Sequence, residues 1–87
     1  MKKTSDKTQF ELDKEQKRIQ RQKQRRIEEL ENLMETLEES IAQNDALLCE
    51  PEVFRDHVKV LEIDSQNDDL KKQLEEYMEE WTILLEE

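Results

Sequence analysis

Apolar residues recur at alternating spacings of three and four in two series. The first series is Ile27, Leu30, Met34, Leu37 and Ile41. The second is Val60, Ile63, Leu70, Leu74, Tyr77, Trp81 and Leu84, with Asn67 filling its one gap. This period is the a/d stripe of a helix that packs lengthwise on another helix. Between the series stands Pro51, the sole proline of a chain without glycine. Proline lacks the N–H that a helix interior needs, yet suits the first residue of a new helix. The pattern therefore predicts an all-α fold, a two-helix antiparallel coiled-coil hairpin, with a helix over 14–48, a turn at 49–51 and a helix over 52–86. Residues 1–13 are polar and aperiodic and are expected to be a linker. Their abrupt start suggests a piece of a longer protein.

Folding back at about position 50 predicts a register. Ile41 should meet Val60, Met34 should meet Asn67, Leu30 should meet Leu70 and Ile27 should meet Leu74. Tyr77 would then face Lys23, and Trp81 would face Ile19 and Gln20. Phe54, Val58 and Leu61 are expected to close the core at the turn against Leu47 and Leu48. Glu50 is the expected N-cap of the second helix, a weaker choice than Asp or Ser. Asn67 in the seam either fixes register at a cost in stability or fills a partly solvated gap.

Charge divides the chain. Net charge is −10 overall, but residues 1–26 hold ten Lys/Arg against four Asp/Glu, and residues 27–87 hold four against twenty. The basic part runs Lys14-Glu15-Gln16-Lys17-Arg18-Ile19-Gln20-Arg21-Gln22-Lys23-Gln24-Arg25-Arg26. At about 100° per residue, Lys14, Lys17, Arg18, Arg21 and Arg25 fall within an arc of about 100°, opposite the apolar seam. Beyond Arg26 the same stripe becomes Glu28, Asn32, Glu35 and Glu39. Such a stripe suits contacts to a phosphate backbone and not the reading of bases. The candidate nucleic-acid-binding residues are Lys14, Lys17, Arg18, Arg21, Lys23, Arg25 and Arg26. The competing reading is a solvated face, or cations neutralised by Glu75, Glu76, Glu79 and Glu80 on the facing helix. Stacking of bases on Tyr77 and Trp81 competes with their covering the stems of Lys and Gln at the open end.

Enzymatic readings find no support in the residues. His57 is the lone histidine and Cys49 the lone cysteine, so neither a zinc site nor a nucleophile–base pair can be assembled. Without glycine there is no phosphate-cradling loop. No metal and no cofactor is expected in this chain. Neither a signal peptide nor a transmembrane stretch is visible, and the chain reads as cytosolic, without a membrane partner and as a monomeric hairpin.

Three stretches resemble one family. The basic helix leading into Arg25-Arg26-Ile27-Glu28-Glu29-Leu30-Glu31, the turn Pro51-Glu52-Val53-Phe54-Arg55-Asp56-His57 and the segment Glu75-Glu76-Tyr77-Met78-Glu79-Glu80-Trp81 resemble the C-terminal helical-hairpin domain of the ABC-F ATP-binding proteins. The resemblance covers about residues 14–87. It departs at Glu50, where the family places Asp, and in the polar stretch Ile63-Asp64-Ser65-Gln66-Asn67-Asp68-Asp69. It implies a cytosolic parent with two ATPase cassettes that hold ATP and Mg, associated with ribosomes and translation. It also implies that this chain is an appendage touching DNA or ribosomal RNA through the basic residues Lys14 to Arg26. The alternative is a structural or protein-interaction coiled coil that binds no nucleic acid.

Overall fold

The computed structural model describes residues 2–87, and side chains from Thr8 onward. The described chain is all-α. It consists of α1 (Lys2–Leu48), a single-turn α2 (Pro51–Phe54) and α3 (His57–Glu86). The molecule is a rod of 79 × 16 × 14 Å.

Helix α1 is long because nothing stops it. Its sequence is rich in Glu, Lys, Gln, Arg and Leu, all good helix formers, and holds neither glycine nor proline. The residues expected as a linker, from Lys2 to Asp13, obey the same rule and continue the helix. The stop comes just before Pro51. A residue preceding proline is pushed out of the helical region, and Glu50 is extended, with φ −74° and ψ 131°.

The second expectation corrected by the structure is the turn. There are three helices and not two, because Pro51 opens only one turn. The N–H of Val53 and that of Phe54 both donate to the Glu50 carbonyl, and the Glu50 side chain caps nothing. The chain then extends again at Asp56, with φ −94° and ψ 98°. The Asp56 carboxylate accepts from the Lys59 N–H at 3.3 Å, so Asp56 and not Glu50 is the N-cap of the long second helix. A short acid at this position satisfies an otherwise orphaned helix donor.

Moving the turn moves the register. Helices α1 and α3 lie side by side and run in opposite directions. Arg26 bonds to Glu80 and Asn44 bonds to Asn67. Asn67 thus sits beside Asn44 and Asp45 and not beside Met34, about three helical turns away. The same shift sets Lys23 against Glu87 in place of Tyr77, and Ile19 stands exposed beyond the end of α3. The faces themselves agree with the periodicity. Ile27, Leu30 and Leu37 are buried, Met34 and Ile41 are half-buried, and so are Val60, Ile63, Leu70, Leu74, Tyr77, Trp81 and Leu84. Phe54, Val58, Leu61 and Leu47 do not close a core at the turn. All four are exposed, because the extended residue Asp56 reorients α3 relative to Phe54.

Asn67 is the one buried polar residue among those described, 4% exposed. Its carbonyl oxygen accepts from Asn44 Nδ2 at 2.9 Å, and its own Nδ2 donates to Asp45 Oδ1 at 3.1 Å. Both ends of the amide are satisfied, which removes most of the cost of burying it.

Candidate nucleic-acid interface

Length decides the surroundings of the basic stretch. With 47 residues, α1 is about 70 Å long, and α3 with 30 residues is about 45 Å. Since Lys23 lies level with Glu87, the 21 residues of α1 from Lys2 to Gln22 run beyond α3, a length of about 30 Å. Glu87, just after α3, reaches Lys23. Upstream of Lys23, no other helix among the described residues lies beside α1.

The seven candidate cations separate into two groups. Lys14, Lys17, Arg18, Arg21 and Arg25 are exposed along one face of α1, a stripe of about 16 Å from Lys14 to Arg25. Arg18 pairs with Glu15 on its own helix at 3.4 Å, and both side chains are largely solvated. Lys14, Lys17, Arg21 and Arg25 make no ion pair among the described residues. Lys17 and Arg21 also rim a shallow groove at the end of α3, floored by Ile27 and Leu84.

Lys23 and Arg26 belong elsewhere. Both are half-buried and turned toward α3. Lys23 approaches Glu87 at 3.9 Å. Arg26 forms a bidentate pair with Glu80, its Nη2 donating to Oε1 at 2.9 Å and its Nε donating to Oε2. A third contact joins Arg26 Nη1 to Glu29 at 3.1 Å. Hydrogen bonding to Glu80 raises the Arg26 guanidinium above its ordinary value, against a smaller opposing effect of desolvation. The hydrogen bond from Arg26 holds the Glu80 carboxyl below its own. These two cations fasten α3 to α1. The signal was in the numbering: Lys23 lies one turn before Ile27 on the seam line, and Arg26 lies one turn before Leu30. Glu75, Glu76 and Glu79 take no part in any ion pair among the described residues.

Tyr77 and Trp81 are half-buried in the seam, a position suited to packing and not to stacking on a base. Trp81 Nε1 is shielded from solvent without a hydrogen-bond partner among the described residues. No helix among the described residues is long and apolar enough to cross a membrane.

The family described as ABC transporter C-terminal domain matches residues 18–86. The chain belongs to that family. The match begins within the basic stretch and takes in all of α3. The chain is also similar to the "Putative ATP-binding protein YdiF" of Bacillus subtilis (strain 168), 47% identical over 51 residues. That similarity covers 59% of this chain and 8% of the length of the relative. No solved structure matches the chain.

Proposed function

We propose that this chain is the C-terminal arm of an ABC-F ATP-binding protein and that it contacts the phosphate backbone of DNA or ribosomal RNA. Nucleotide and Mg would be held by ATPase cassettes elsewhere in the parent, acting in the cytoplasm and in association with ribosomes. The two long helices would act as one antiparallel coiled-coil arm, monomeric in itself. The observation that carries the reading is the set Lys14, Lys17, Arg21 and Arg25. They are solvent-facing and unpaired among the described residues, and three of the four lie where α1 runs beyond α3. Cations already engaged with carboxylates would have to break those pairs before meeting a phosphate, and these four have none to break among the described residues. Glu28, Asn32, Glu35 and Glu39 continue the same face, so a bound backbone would leave the helix near Arg25.

A salt titration tests this. The full chain is titrated with labelled duplex DNA and with labelled ribosomal RNA at several salt concentrations. Four neutralised phosphates give a slope of log affinity against log salt of about −3.6 on duplex DNA. The K14Q/K17Q/R21Q/R25Q variant should lose most of the affinity and flatten the slope. Undiminished binding by that variant would overturn the assignment of the stripe. The absence of binding at low salt would leave a structural or protein-binding arm.

A further inference from the structure

The end of the rod opposite the basic stripe carries three large apolar side chains that nothing covers. Phe54 is 73% exposed, Val58 63% and Leu61 55%. Phe54 ends α2, and Val58 and Leu61 stand one turn apart on α3. Asp56 is extended between the two helices, so Phe54 presents its ring from a separate single turn, while Val58 and Leu61 stand at i and i+3 on one helix. On α3, Val58 and Leu61 point away from the α1-facing seam, which runs through Val60, Ile63 and Asn67. Packing within the chain therefore cannot account for them. A single exposed apolar residue needs no explanation, whereas several large ones gathered at one end of the rod mark an interaction site.

The charge around this patch narrows the occupant. Residues 45–69 hold Asp45, Glu50, Glu52, Asp56, Glu62, Asp64, Asp68 and Asp69 against Arg55 and Lys59. On α3, Glu62 follows Val58 by one turn, and Asp68 follows Leu61 by two. An acidic rim repels nucleic acid and the anionic surface of a membrane alike. It also disfavours the same tip of a second copy, where like charges would meet. What it favours is a basic protein.

We propose that the Phe54–Val58–Leu61 tip is a docking site for a protein surface that offers apolar side chains or an apolar groove between Lys and Arg. It is a second site, at the far end of the rod from Lys14–Arg25, so the arm has one end for a polyanion and one for a polycation. Apolar burial supplies affinity there, and the acidic rim supplies orientation and association rate.

The test uses the full chain and a labelled amphipathic helical peptide with Leu on one face and Lys on the flanks, followed by fluorescence anisotropy. A control peptide has every Leu replaced by Ser. The Leu/Lys peptide should bind at least tenfold more tightly than the Ser/Lys peptide. The F54S/V58S/L61S variant, checked for unchanged helix content by circular dichroism, should lose that tenfold advantage. The E62Q/D68N/D69N variant should weaken binding and lessen its salt dependence. The K14Q/K17Q/R21Q/R25Q variant should bind the peptide as the native chain does. Equal binding of the two peptides, or full binding by the triple Ser variant, overturns the proposal. So does a dimer in sedimentation that the triple Ser variant abolishes, since the occupant would then be a second copy.

Discussion

One helix, α1, lives in two environments, and the difference between them separates structure from function along its length. From Ile27 to Leu48 it lies against α3. Its period buries Leu30 completely, at 0% exposure. From Thr8 to Gln22 the apolar line continues through Leu12 and Ile19, but Ile19 is 54% exposed. The backbone is helical throughout. What changes at Lys23 is only whether a second helix is present. A cation beside α3 becomes a fastener, and a cation beyond α3 keeps its charge for something else. Arg25 and Arg26, adjacent in sequence and both alongside α3, differ by face: Arg26 turns toward α3 and bonds to Glu80, and Arg25 turns to solvent.

The strongest way to break this comparison is to remove apolar atoms from each part. Leu30→Ala opens a cavity in the seam and should destabilise the chain by about 2–5 kcal/mol, measured by urea unfolding. Ile19→Ala should change stability by less than about 0.5 kcal/mol, as exposed positions do. Amide hydrogen exchange gives the same contrast without mutation. Residues 8–22 should exchange as a helix held only by its own hydrogen bonds, and residues 30–44 should exchange only on opening of the pair. Equal costs for the two substitutions, or protection over 8–22, would mean that Leu12 and Ile19 are covered in solution.

The next effect concerns register. Replacing Asn67 by Leu puts an apolar side chain in a buried site and should raise stability by about 1 kcal/mol. It also removes both hydrogen bonds that tie Asn67 to Asn44 and Asp45. The alignment of α1 with α3 should then loosen, read as a broadened distribution of spin-label distances between positions 38 and 73. A variant as stable as expected but with one sharp distance would show that the turn alone sets the register. Asn67 would then be a tolerated gap in the seam.

The register was also what the sequence left open. The period of three and four named the inward faces of both long helices, because side-chain direction follows from helical geometry alone. It could not say how far one helix slides along the other, since apolar seams match almost as well one heptad along. That choice rests with the turn, and two turn signals compete there. Pro51 is the louder one, but it starts a helix of only one turn. Asp56 is a better cap than Glu50, and it starts the helix that continues to Glu86. The exposed stripe of Lys14, Lys17, Arg18, Arg21 and Arg25 was legible as an arc opposite the seam. The diversion of Lys23 and Arg26 followed from their seam-side numbers, although which carboxylate each would meet depended on the register.

The smallest effect tests the boundary residue itself. Arg26→Gln should lower stability, by less than Leu30→Ala does, because the pair with Glu80 is partly solvated and exposed pairs contribute little. Arg25→Gln should leave stability unchanged and instead weaken nucleic-acid binding if the proposed interface is correct. The Arg26–Glu80 pair also has a pH signature. The Glu80 carboxyl lies below its ordinary value of 4.5 in the folded chain, chiefly because Arg26 donates to it. A depressed acid contributes stability above its unfolded value, and that contribution is lost as pH falls through the folded one. The native chain should therefore lose stability below about pH 4.5 more steeply than the Glu80→Gln variant. Urea midpoints measured from pH 7 down to pH 3 would show the two curves converging in acid. Parallel curves would mean that the pair does not form in solution, and Arg26 would then rejoin Arg25 among the free cations of α1.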